Sequence, residues 1–173
     1  IKAYYNIGYT YQGNKQYQKA VEAHQKMVDI AETFFIENHP RLPILYQATS
    51  ISYALCEKID TAFKYYKKST FIAEKVLPKE AFFHSVVENP LGYIYTAIGV
   101  QAYKKKDYAR AIDFLDTTFV MQRDKSVKNL AAFCHYQLGN YERAIELYER
   151  YKMWDDSTYY NNLGAAYAKN KQF

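Results

Sequence analysis

Large apolar and aromatic side chains recur along the chain at spacings of three and four around one small residue. Tyr4-x2-Ile7-Gly8-x2-Tyr11 near the start and Tyr160-x2-Leu163-Gly164-x2-Tyr167 near the end follow one template. Three looser copies lie between them: Tyr46-x2-Thr49-Ser50-x2-Tyr53, Tyr95-x2-Ile98-Gly99-x2-Ala102 and Lys128-x2-Ala131-Ala132-x2-His135. This spacing gathers the template residues on one face of a helix that turns about 100° per residue. Behind each of the first four copies comes an Ala with a large side chain four residues later: Ala20/His24, Ala62/Tyr66, Ala111/Leu115 and Ala144/Tyr148. The Ala always sits twelve residues after the small residue. A fixed offset between two small positions predicts two packed antiparallel helices, whose backbones approach at the small residues while the larger ones fill the space around them. Polar or Gly-containing turns separate the two helices at Gly13-Asn14-Lys15, Lys104-Lys105-Lys106-Asp107 and Leu138-Gly139-Asn140. Each is followed by a Tyr (Tyr17, Tyr108, Tyr141) that is expected to cap the helix interface. His39-Pro40 and Asn89-Pro90 read as starts of new first helices, since Pro is tolerated in the first turn.

The pattern W-x2-L-G-x2-Y…A-x3-F, here with Tyr in place of Trp, resembles that of the tetratricopeptide repeat. The resemblance covers essentially the whole chain as four repeats and the first helix of a fifth, at approximately 1–38, 41–78, 90–122, 125–153 and 157–173. It implies a single all-α domain, an α-solenoid of antiparallel helix pairs wound as a right-handed superhelix. Successive core alanines are 42, 49 and 33 residues apart, against about 34 for the basic repeat, so the first two second-helices or their loops are extended. The 42-residue step and the Asn38-His39-Pro40 turn make the repeats similar to those of kinesin light chains. Extended helices with variable loops also resemble the sensor domains of bacterial peptide-pheromone receptors.

Composition narrows the function more than the fold. The 173 residues include 20 Tyr against 10 Phe and one Trp, so amphipathic rings are placed repeatedly. Only 4 Pro and 6 Gly argue against disorder and against many tight hairpins. Cys56 and Cys134 lie far apart with no metal-knuckle or redox spacing, which points to a reduced, cytoplasmic setting. The longest charge-free run, 89–103, is too short and too polar for a membrane span, so no membrane partner is expected. With no initiator Met at Ile1, the chain reads as a fragment of a larger protein. None of His24, His39, His84 and His135 has a second His or a Cys three or four residues on, and no phosphate loop or nucleophile elbow is present. No catalysis, metal or cofactor is therefore expected, and His24 and His135 read as packed core histidines. The net charge of +5 is modest, and Lys104-Lys105-Lys106 reads as a solvated helix end rather than a nucleic-acid patch.

On the same wheel, Tyr5, Tyr9 and Gln12 fall about 100–120° from the template face of the first helix. First helices line the inner side of stacked helix pairs, so this second face is the expected binding surface. Its equivalents are Gln47, Ile51 and Ala54, then Thr96, Val100 and Tyr103, then Asn129, Phe133 and Tyr136, then Asn161, Ala165 and Ala168. A surface of Tyr, Asn and Gln suits an extended peptide: a carboxamide donates and accepts at once, and Tyr offers apolar area with a polar tip. Asn161 with Asn162, and Asn6, resemble the paired Asn of kinesin-light-chain repeats. The Lys and Asn of a clamp for chaperone tails are missing, because Tyr5, Tyr9, Gln47 and Ile51 stand at those positions. The expected function is a scaffold that binds a protein or peptide in its concave groove. A peptide-responsive sensor domain of a larger bacterial regulator is the alternative, and a self-association module around Leu163 and Tyr167 the second. The link from Leu77 to Asn89 is read as a helix extension, a short extra helix or a lid.

Overall fold

The computed structural model describes residues 1–77, 89–121, 125–152 and 157–171. The Phe82-Phe83-His84 link therefore lies outside the described residues. Among them are nine α-helices and no strand: α1 (Lys2–Gly13), α2 (Tyr17–Phe34), α3 (Leu42–Leu55), α4 (Ile59–Val76), α5 (Asn89–Lys104), α6 (Tyr108–Met121), α7 (Lys125–Gln137), α8 (Tyr141–Arg150) and α9 (Ser157–Asn170). This is an all-α solenoid of helix pairs. Packing divides the chain into two compact units, Ile1–Ala97 and Ile98–Phe173.

The small-residue template sets the helix crossings. Ala20, Ala62, Ala111 and Ala144 are fully buried. A Cβ on Gly8 would stand 2.1 Å from the His24 ring, and one on Gly99 would stand 2.7 Å from Leu115 and 3.3 Å from the Ala111 carbonyl oxygen. In the second pair the contact is polar, the Ser50 hydroxyl donating to the Ala62 carbonyl at 2.8 Å.

Each turn within a pair uses the same backbone device. Seven residues after the small residue, Lys15, Glu57, Lys106 and Gly139 take positive φ of 58°, 58°, 60° and 80°. The following N–H reaches back five residues, as in Gln16 to Tyr11, Lys58 to Tyr53, Asp107 to Ala102 and Asn140 to His135, at 2.9–3.0 Å. This is the Schellman closure, which satisfies the last carbonyls of the first helix. The carbonyl of that same residue then accepts the N–H of the core Ala at 3.0–3.1 Å, opening the second helix. Gly13, expected to make the first turn, is instead the last residue of α1, and Lys15 carries the left-handed conformation.

The longer second helices account for part of the longer repeat steps, and the links between pairs for the rest. Helices α2 and α4 each run 18 residues, against 14 for α6 and 10 for α8. Both 18-residue helices end on an extended residue, Phe35 and Leu77, whose N–H returns to Ala31 and Ala73. The start expected at His39-Pro40 is displaced: α3 begins at Leu42, and Pro43 occupies the first-turn position. Helix α5 does begin at Asn89-Pro90.

Candidate peptide-binding surface

In the first unit, Tyr5 and Tyr9 project from α1 with ring centroids 4.8 Å apart. Both pack on His24 of α2, Tyr9 edge-on at 5.4 Å. Burial and a hydrogen bond that its hydroxyl donates to Tyr5 raise the Tyr9 phenol well above its ordinary pKa. His24 is fully buried and held at both nitrogens: Nδ1 lies 2.7 Å from the Ser52 hydroxyl and Nε2 3.2 Å from the Tyr5 carbonyl oxygen. A carbonyl can only accept, so Nε2 carries the proton and Nδ1 accepts from Ser52. The Ser52 oxygen in turn accepts from the Gln12 amide at 2.7 Å. Burial keeps the imidazole pKa below its usual value, against the opposing pull of its backbone hydrogen bonds.

This relay corrects the expected groove. Gln12 is spent on Ser52, and Gln47 is only 7% exposed. Ile51 and Ala54 are buried as well. The inner positions of the second repeat, Gln47, Ile51 and Ala54, are thus closed off from a ligand, and Gln12 of α1 is drawn onto Ser52 of α3. What remains at the surface of this unit is the Tyr5–Tyr9 ledge, with Thr96 half-buried on α5.

The second unit holds a larger assembly. Phe133 of α7 is the hub, with Tyr103 of α5 at 5.9 Å, Tyr108 of α6 at 6.3 Å and Tyr136 at 6.4 Å. Tyr136 continues to Tyr141 of α8 at 5.6 Å. All five rings are half-buried, most contacts being tilted or edge-to-face. Tyr103, Tyr108 and Tyr136 pack against the core of this unit, and all five rings keep part of their surface exposed. Tyr103, Phe133 and Tyr136 were expected on this face, whereas Tyr108 and Tyr141 were expected only as interface caps. Their shared offset, nine residues after the small residue, was the available signal. Asn129 is half-buried on α7 and Asn161 is exposed on α9. Asn162 turns instead toward the buried Tyr148 hydroxyl, whose pKa burial raises.

His135 is buried and pairs with Asp116 at 3.2 Å, while Cys134 is buried with its thiol pushed up to about 12, chiefly by desolvation. Among the described residues no group of three His, Cys, Asp or Glu is placed to hold a metal ion, and no helix is long and apolar enough to cross a membrane.

Two models of the tetratricopeptide repeat match, over residues 1–75 and 126–158, together well over half of the chain. The chain belongs to the tetratricopeptide-repeat family. Among solved structures, this tetratricopeptide-repeat chain is similar to the nearly identical TPR-like repeats of a Podosopora anserina protein described as a kinesin light chain, with a TM-score of 0.56 at 18% identity. A single-substitution variant of the same protein aligns with a TM-score of 0.55, also at 18% identity. Both alignments cover 99% of this chain and 87% of the other. At that identity the likeness establishes the fold of kinesin-light-chain-like repeats. No curated protein matches the chain. Tetratricopeptide repeats generally mediate protein–protein interactions, so a protein partner is the coarse functional statement the family supports.

Proposed function

We infer that the chain is a protein- or peptide-binding scaffold whose principal binding surface is the ring ledge Tyr103, Tyr108, Phe133, Tyr136 and Tyr141. One observation carries this reading: five aromatic rings from four helices form an unbroken chain of contacts, all half-buried, with Tyr103, Tyr108 and Tyr136 packed against the core. Such rings lose little rotamer freedom on binding, and they offer an apolar face with a phenol at the edge. An extended segment laid along α7 buries its side chains between the rings. The carboxamide of Asn129 and, on the next first helix, that of Asn161 supply hydrogen bonds to its backbone. In the first unit the Tyr5–Tyr9 ledge is a second, smaller contact, pre-organised by the His24 relay.

The test is a peptide-display selection on the wild-type chain and on Phe133→Ala, with circular dichroism to establish that both are folded. Removing the hub ring is expected to weaken enriched peptides at least about tenfold, the scale of losing one buried aromatic contact. Peptides that bind Phe133→Ala as tightly as wild type, or a folded parent that enriches nothing, would refute the ledge as the binding surface.

A further inference from the structure

A separate surface of the first unit surrounds the turn between α2 and α3. Phe34, Ile36, Ile44 and Phe71 are 78%, 77%, 47% and 56% exposed. An apolar patch of this kind is costly to leave in water and marks a contact surface. It is also rigidly presented. Phe35 stacks flat on His39, with centroids 3.9 Å apart and planes 6° from parallel. His39 Nδ1 accepts the Arg41 N–H at 3.1 Å, and the turn is closed by His39 N–H to Ile36 and Leu42 N–H to His39.

Phe35 divides the patch into two depressions. One, of about 490 Å³, has Leu42, Phe71 and Ile72 as apolar walls and Glu32 and Glu37 at its margin. Glu32 is occupied by Lys68 at 2.9 Å and by the Tyr46 hydroxyl at 2.8 Å, which leaves Glu37 as the open charge there. The other, of about 430 Å³, is walled by Tyr5, Ile44 and Leu45 and carries Lys2 and Arg41 with no acid. Among the described residues, Glu37, Lys2 and Arg41 form no ion pair.

We propose that this patch is the two-fold interface of a homodimer, its occupant a second copy of the same turn. The order along the surface is an acid, an apolar centre and two bases. Rotating a second copy by 180° about an axis through Phe35 sets its bases against the first copy's acid, and the reverse, while the apolar centres meet. Self-complementarity of this kind is what an isologous interface requires. The surface is distinct from the ring ledge, and the dimer stands or falls independently of what that ledge binds.

The experiment is sedimentation velocity on the 173-residue chain over a concentration series from about 1 to 200 µM, the range in which interfaces of modest size assemble. A monomer–dimer equilibrium is expected. Phe34→Asp with Ile36→Asp abolishes it; both side chains are so exposed that folding, followed by circular dichroism, is retained. Glu37→Arg and Arg41→Glu, each alone, set like charges across both halves of the interface and weaken the dimer at least about tenfold. The double variant E37R/R41E restores the complementarity with its sense reversed and recovers most of the wild-type dimer. A monomer throughout the series, a dimer indifferent to Phe34 and Ile36, or a double variant no better than either single one would overturn the proposal.

Discussion

Gly8→Ala isolates the interaction that joins α1 to α2. The added methyl carbon would fall 2.1 Å from Nε2, 2.2 Å from Cδ2 and 2.6 Å from Cε1 of His24. The ring cannot yield cheaply, being fully buried and bonded on both sides, to Ser52 and to the Tyr5 carbonyl. Overpacking a filled site costs about 1–3 kcal/mol, and turning the ring away leaves buried polar groups unsatisfied at about 1–3 kcal/mol. Replacing a mid-helix Gly by Ala returns about 0.5–1 kcal/mol. The net expectation is a loss of about 1–5 kcal/mol. Gly164→Ala is the internal control, because nothing lies within 4 Å of its added Cβ and only the favourable helix term remains. Urea titration followed by far-UV circular dichroism gives the stabilities, and hydrogen exchange of the α1 and α2 amides locates the change in the first unit. Adding His24→Ala to Gly8→Ala should recover part of the loss, since the methyl then enters the space of the missing ring. Equal stability of Gly8→Ala and wild type, or a loss as large at Gly164, would refute the close-approach account.

Three further outcomes follow from the same chemistry. His24 has a folded pKa below its unfolded value of about 6.5, so its neutral form stabilises the fold fully above that pH. That contribution is lost as pH falls from there through the folded value. An NMR titration should place His24 below the ordinary imidazole value of about 6.5, and His24→Gln should flatten the acid limb of the stability curve. Lys106→Gly relieves a left-handed backbone at an exposed turn and is expected to stabilise by about 0.5–1 kcal/mol in chemical denaturation, whereas Gly139→Ala at the equivalent position should destabilise by about 1–2 kcal/mol. Cys134, fully buried and with its thiol pushed up to about 12, should resist iodoacetamide at pH 8 in the folded chain, while the half-buried Cys56 is alkylated first; equal labelling of both by mass spectrometry would contradict this burial.

Much of the architecture was legible because the repeat encodes it locally. The small residue and the Ala twelve positions later report a helix crossing directly, since only small side chains let backbones meet there: Ser50 meets Ala62 and Gly99 meets Ala111, while Gly8 makes room for the His24 ring. Periodicity likewise put Tyr103, Phe133 and Tyr136 on one face. The turn chemistry was less legible, because three of the four left-handed positions are held by Lys15, Glu57 and Lys106, which carry no glycine signature. Their conformation is imposed by the carbonyls that the ended helix must satisfy.

Which polar residues a ligand could reach was settled by packing between helices. A helical wheel treats Gln12, Gln47 and Tyr9 alike, since it sees one helix at a time. Their fates diverge because α1, α2 and α3 converge on His24 and Ser52, drawing Gln12 inward, while Gln47 is buried and Tyr9 stays at the edge. The apolar turn at Phe34, Phe35 and Ile36 is the converse case. There Phe35 stacks on His39 while its two neighbours stand in water. Spacings of a few residues are enough to dictate which side chains meet within a helix pair, because those contacts are local. How one pair leans on the next depends on contacts between residues far apart in the chain, and those contacts set what remains available for a partner.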